Sequence, residues 1–128
     1  MGAIIHRVAI LGAGGWGTAL AVHLARVGHD ARLWGRDASL IPDMRVRQVN
    51  TVYLPDIRFP SRMSVTADMA EALDGVDIVV MAAPSHGTRD VVRAAAPLVR
   101  RGAVVVRPTK GLGQETRFRV SELLAQEL

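Results

Sequence analysis

Apolar positions along the chain fall into two kinds of run that alternate. Val8-Ala9-Ile10-Leu11 and Ile78-Val79-Val80-Met81-Ala82 are short and continuous, the pattern of strands buried on both faces of a parallel sheet. Residues 103–106 repeat that pattern, Asp30–Trp34 alternates weakly, and Ser64-Val65-Thr66 is a brief third case between them. Elsewhere the spacing turns helical. Trp16, Leu20, Leu24 and Val27 form one stripe over residues 15–27, with Gly28 placed as a left-handed C-cap. Further helices are predicted over 39–49, with Pro42 confined to the first turn, and over 68–73, with Asp68 as cap and Gly75 as stop. Two more are predicted from 88 to 99 and over 115–128, while 50–60, interrupted by Pro55 and Pro60, reads as loop.

Strands alternating with helices predict an α/β fold with a doubly wound parallel sheet, strand order 3-2-1-4-5 and right-handed crossovers. Residues 1–128 make one domain. Ligands of such sheets sit beyond the carboxyl ends of the strands, where the order reverses. The loops 12–17, 35–37, 83–87 and 108–113 all fall at that end. The first reads Gly12-Ala13-Gly14-Gly15-Trp16-Gly17, a G-x-G-x-x-G with a strand before it and a helix after it. That context is what gives the pattern meaning as a dinucleotide turn. Gly12 would permit the tight turn, Gly14 the approach of a pyrophosphate, and Gly17 the close packing of helix on strand. The helix would then aim free N–H groups and its positive dipole end at the phosphates. The competing reading is a plain strand-to-helix turn.

Composition narrows the classes. Hydrophobic residues are 49% and charged residues 22% of the chain, as in ordinary globular proteins. There is no cysteine, which excludes a disulfide framework and a thiolate metal site. No metal-ligand spacing of His or carboxylates appears either. The net charge of +4 comes from scattered basic residues without interleaved aromatics, so no nucleic-acid surface is indicated. No apolar run approaches the roughly 18 residues of a membrane span, and the N-terminus has no signal-peptide pattern. The expected compartment is the cytoplasm.

Three loops carry the remaining candidates. At the end of the second strand, Arg36 stands where a guanidinium would clamp a 2′-phosphate. Asp37 is the competitor that an NAD-binding site would use for the ribose hydroxyl. That pair favours NADP, or use of both cofactors, over NAD alone, against a reading in which Arg36 and Asp37 are a solvated turn. Lys110 is the single lysine among 15 arginines. It suggests a role for a compact point charge that a guanidinium cannot fill; a solvated loop lysine is the alternative. His86 lies in a crevice loop without a base or nucleophile to pair with, and Ser85 has no His–Asp arrangement around it. His6 and His29 read as solvated, His23 as a packing or surface residue, and Trp16 as a core plug at the helix start.

At this point the chain resembles a known family. The run Gly12-Ala13-Gly14-Gly15-Trp16-Gly17-Thr18-Ala19-Leu20-Ala21 is similar to the turn of the bacterial-type NAD(P)-dependent glycerol-3-phosphate dehydrogenases. Leu33-Trp34-Gly35-Arg36-Asp37, Asn50 through Tyr53-Leu54-Pro55, Pro84-Ser85-His86 and Thr109-Lys110-Gly111-Leu112 follow in family order, with a Ser121-Glu122-Leu123 helix after them. The resemblance covers essentially the whole chain and implies a Rossmann-like cofactor domain. It implies hydride transfer between NAD(P)H and dihydroxyacetone phosphate, giving sn-glycerol 3-phosphate. Gly15, Trp16 and Arg36 would bind cofactor, Tyr53 would line its site, and Lys110 would touch both cofactor and substrate phosphate. Gly15 departs from the usual Ser, and Arg107-Pro108 from the usual small residues.

The resemblance also implies what lies beyond Leu128. A last strand and a helical domain with the catalytic lysine are absent, so no catalytic residue is assigned here and the chain is expected to be inactive alone. Two rivals remain. One is an isolated nucleotide-binding module that senses redox state or docks a partner on the helix 115–128. The other is a different dehydrogenase of the same fold, which the Thr109-Lys110-Gly111 and Tyr53-Leu54-Pro55 matches argue against.

Overall fold

The strand β1 (Arg7–Leu11) is buried at every residue after Arg7, and the molecule is layered around it. In the computed structural model, residues 5–37, 39–83, 88–108 and 115–118 are described. β1 pairs in parallel with β2 (Asp30–Trp34) on one side and β6 (Ile78–Met81) on the other. β5 (Met63–Thr66) extends the sheet beyond β2, and β7 (Val104–Pro108) beyond β6. The order β5-β2-β1-β6-β7 is the expected 3-2-1-4-5.

Side chains of β1 alternate between two cores, as the two-residue period of a strand requires. Val8 and Ile10 pack with Ala21, Val22, Leu33, Ile41 and Met44 under α1 (Gly15–Arg26) and α2 (Leu40–Arg47). Ala9 and Leu11 pack with Leu73, Val79, Val91 and Val92 under α3 (Met69–Leu73) and α4 (Thr88–Ala95). Asp68 caps α3 as anticipated, its Oδ1 accepting from the Ala70 N–H at 3.0 Å. α4 runs into a 3-10 turn, Ala96–Leu98, at Pro97.

Four expectations are corrected. The buried face of α1 is Gly17, Thr18, Ala21, Val22 and Ala25, not the stripe through Trp16 and Val27, which are exposed. Leu20 and Leu24 pack only at its margin. Small residues win that face because the helix starts in direct contact with the strand end. Second, α2 stops at Gln48, whose φ of 59° is left-handed. Residues 50–60 are then not a loop: β3 (Val49–Asn50) and β4 (Leu54–Arg58) form an antiparallel hairpin with an irregular register. Third, 115–128 does not begin as a helix, because β8 (Glu115–Phe118) pairs antiparallel with β7. The chain turns back to satisfy the backbone groups of an open sheet edge. That edge is therefore covered, although no further strand was expected, and the docking helix proposed from the sequence does not start at Glu115. Fourth, His6 and His29 are not simply solvated. The His6 N–H donates to His29 Nδ1 at 3.1 Å, and the ring centroids lie 5.5 Å apart.

Asp77 fastens the amino-terminal end of the sheet. Its Oδ2 accepts from the Arg7 N–H at 3.1 Å and its Oδ1 from the Arg100 guanidinium at 2.9 Å. Its own N–H donates to the Arg7 carbonyl, and its carbonyl accepts from the Val104 N–H. The Arg7 N–H holds the Asp77 carboxyl below its ordinary value of 3.8, opposed by burial and helped by the charge of Arg100. A carboxyl lowered in the folded state stabilises the fold above its unfolded value, and the contribution is lost as pH falls through the lower folded value. Asp77→Asn should therefore be less stable than the parent near neutral pH and lose less stability on acidification. Denaturant midpoints measured between about pH 7 and about pH 2 check this; parallel curves for the two proteins would refute it.

Candidate functional site

The turn from β1 into α1 is built on two glycines the chain itself requires. Gly12 has φ of 137°, and a Cβ there would stand 2.6 Å from the Ala82 carbonyl carbon and the Ala83 nitrogen. A Cβ on Gly17 would drive into the Gly12 carbonyl oxygen and lie 3.2 Å from the Ala82 Cβ. The Gly12 N–H donates to the Trp34 carbonyl at 2.8 Å, which ties the turn to β2. Gly14 is different. Its φ of −74° suits any residue, and a Cβ on it would meet nothing within 4 Å. The space beside Gly14 belongs to the cleft.

That cleft has a volume of about 500 Å3 and is lined by residues 12–17, Trp34, Gly35, Arg36, Asp37, Leu40, Tyr53, Ala82, Ala83 and Val91. It is within the usual size of a small-molecule site. α1 opens onto it with Gly14 as N-cap, no capping side chain and no acidic residue in its first turn. By contrast, α2 and α3 each begin on a carboxylate. The first-turn N–H groups of α1 and its positive end are thus left for an anion.

Arg36 is exposed, with its guanidinium carbon 5.8 Å from the centroid of the Trp34 ring. Trp34 is held in turn by its Nε1–H, which donates to the Ala67 carbonyl at 3.1 Å. Asp37 is exposed as well, but its carboxylate is engaged by the backbone that follows it. Asp37 Oδ1 accepts from the Ser39 N–H, the Ser39 hydroxyl and the Leu40 N–H, each at 2.9 Å. The Leu40 N–H first, then Ser39, lower its carboxyl from the ordinary value. This oxygen is committed to starting α2.

Trp16 is half exposed and lines the cleft, so it is not a core plug. Packing decides this, because the face of α1 turned to the sheet starts at Gly17 and Thr18 and leaves Trp16 outside it. Tyr53, also exposed, stands over the turn, its Cβ 3.8 Å from where a Cβ on Gly15 would be. Gly12, Gly14, Gly15, Trp16, Gly17, Arg36 and Tyr53 are thus brought to one cleft. Lys110, with its neighbours in 109–113, and Ser85 and His86 lie outside the described residues.

Sequence reasoning named Asn50 only as the start of a matched run and gave it no role. It is fully buried, and its Nδ2 donates to the Ala13 carbonyl at 3.1 Å and to Thr18 Oγ1 at 2.8 Å. Its Oδ1 accepts from the N–H groups of Val52 at 3.2 Å and Tyr53 at 3.0 Å. The second pair is a local turn signal that an Asn can advertise. The first reaches back 37 residues and leaves no trace in the local pattern.

With this geometry in place, the comparisons with known proteins are specific. A family model described as the N-terminus of NAD-dependent glycerol-3-phosphate dehydrogenase matches residues 7–128. A glycerol-3-phosphate dehydrogenase (NAD(P)+) of Bacillus velezensis is 39% identical over 124 residues, covering 97% of this chain and 36% of that protein. Its counterpart in Moorella thermoacetica is 42% identical over 120 residues, covering 94% of this chain and 36% of that protein. The crystal structure of glycerol-3-phosphate dehydrogenase from Coxiella burnetii superposes with a TM-score of 0.82 at 36% identity, over 97% of this chain and 38% of that one. The chain therefore spans about a third of the length of the curated relatives it matches.

The two kinds of glycine are separable by experiment. Gly17→Ala should lower stability by about 3 kcal/mol or more, because backbone must move. Gly14→Ala should cost less than about 1 kcal/mol, the scale of an N-cap change. Thermal melts of both variants test this, and equal losses would refute the distinction.

Proposed function

The chain belongs to the family of NAD-dependent glycerol-3-phosphate dehydrogenase N-terminal domains, and from that premise we propose that it is the cofactor-binding domain of a cytoplasmic enzyme interconverting dihydroxyacetone phosphate and sn-glycerol 3-phosphate. The observation that carries this reading is the uncapped start of α1 facing a cleft in which Gly14 leaves open space. A pyrophosphate fits there by chemistry as well as shape, since N–H donors and a helix N-terminus both favour an anion. When bound, NADP(H) or NAD(H) would donate or accept the hydride.

The chain's own residues bind and orient. In this reading the first-turn N–H groups at Gly14, Gly15 and Trp16 hold the pyrophosphate, and the Trp16 and Tyr53 rings wall the cleft against water. Arg36 receives the 2′-phosphate of NADP. Asp37 is drawn toward α2 by its Oδ1 bonds, which supports NADP over a ribose-binding carboxylate. Lys110 contacts cofactor and substrate phosphate as a point charge. No residue of this chain is assigned to proton transfer, so the domain binds cofactor and does not turn over by itself. The other substrate contacts and the proton-transferring group belong to a further domain.

NADPH and NADH titrations followed by tryptophan emission test the reading, because half-exposed Trp16 lies in the cleft. NADPH should bind the parent, and Gly14→Ala should weaken it while leaving the fold intact. A hydrogen bond to a charged group contributes about 1.5–3 kcal/mol, so Arg36→Ala should weaken NADPH by about tenfold or more and NADH much less. Equal losses would overturn the 2′-phosphate role; no binding of either cofactor would overturn the function. In the longer enzyme, Lys110→Arg should slow turnover, and unchanged kinetics would refute the point-charge role.

A further inference from the structure

The β3–β4 hairpin stands outside the six-stranded sheet, and a two-stranded hairpin is marginal by itself. Yet it carries Tyr53 to the glycine turn. Asn50 links the two. It is fully buried, and both ends of its amide are used. The end facing the N–H groups of Val52 and Tyr53 must be the oxygen, and the end facing the Ala13 carbonyl must be the NH2. The network therefore fixes the orientation of the amide.

That orientation reaches the cofactor turn through the backbone. A trans peptide is planar, so the carbonyl of Ala13 and the N–H of Gly14 point in opposite directions. Drawing the Ala13 oxygen onto Asn50 Nδ2 sets the direction of the Gly14 N–H. It also pairs the negative end of that carbonyl inside the protein, away from a phosphate. Thr18 Oγ1, itself 3.4 Å from the Ala13 oxygen and 2.8 Å from Asn50 Nδ2, completes the clasp. The same amide holds the turn that presents Tyr53 over Gly15.

We propose that Asn50 is a positioning residue of the dinucleotide site, orienting the Ala13–Gly14 peptide for the pyrophosphate and fixing Tyr53 over it through one buried amide. This rests on the reading that the glycine turn takes a dinucleotide. Asn50→Asp separates the two halves of the clasp. It keeps an acceptor for Val52 and Tyr53 but replaces the donor to Ala13 with an acceptor.

Two probes distinguish positioning from plain structural support: NADPH, which spans the turn, and adenosine 2′-monophosphate, which needs only the Arg36 end. In the 128-residue chain, Asn50→Asp should raise the NADPH dissociation constant about tenfold, as for loss of a buried hydrogen-bonded orientation. The constant for adenosine 2′-monophosphate should stay within about twofold. Thr18→Val removes one arm of the clasp and should shift NADPH in the same direction by about threefold. Should Asn50→Asp fail to fold, Thr18→Val decides alone. NADPH affinity unchanged in the folded variants, or parallel loss of both probes, overturns the proposal. A parent chain that binds no NADPH overturns the function itself, which is a different result.

Discussion

The α-carbon of Gly17 packs against the carbonyl of Gly12, and most of the molecule depends on that contact. With no side chain between them, α1 begins at van der Waals distance from the end of β1. Gly17, Thr18, Ala21, Val22 and Ala25 then become the buried face, because only small side chains fit so close an approach. The larger residues are rotated outward. Trp16 is displaced to the cleft by this, and so becomes available to a ligand rather than to the core.

The two ends of the sheet are treated oppositely. At the amino-terminal end, Asp77 binds the backbone of Arg7 and the side chain of Arg100, and its backbone reaches β7. Polar groups there satisfy one another. At the carboxyl-terminal end, α2 and α3 are closed by Asp37 and Asp68, while α1 has neither cap nor acidic first turn. Of these three helix starts, the one left without a capping side chain is the one that opens on the cleft.

Asn50 adds a buried polar link between elements that the main sheet does not join. An unsatisfied amide in that position would be costly, so the four bonds it makes hold the hairpin and the glycine turn in one relative geometry. The hairpin is then more than a connection between α2 and β5. It forms the wall of the site that carries Tyr53.

Local physics determined much of this protein from sequence alone. Continuous apolar runs specified β1 and β6, Asp68 marked the start of α3, and the glycines at 12, 14 and 17 marked the turn and the end of the sheet where ligands bind. These signals were legible because each acts within a few residues, through side-chain period, capping or backbone freedom. The tertiary structure decided which face of α1 is buried, since the apolar stripe and the close-packing requirement conflict and sterics prevail. It decided that Val49–Asn50 pairs with Leu54–Arg58 as a hairpin despite Pro55, and that Glu115–Phe118 covers the edge of β7. It alone showed that Asp37 serves α2 and that Asn50 serves the turn. A hydrogen bond across 37 residues is set by how the layers stack, and no periodicity along the chain records it.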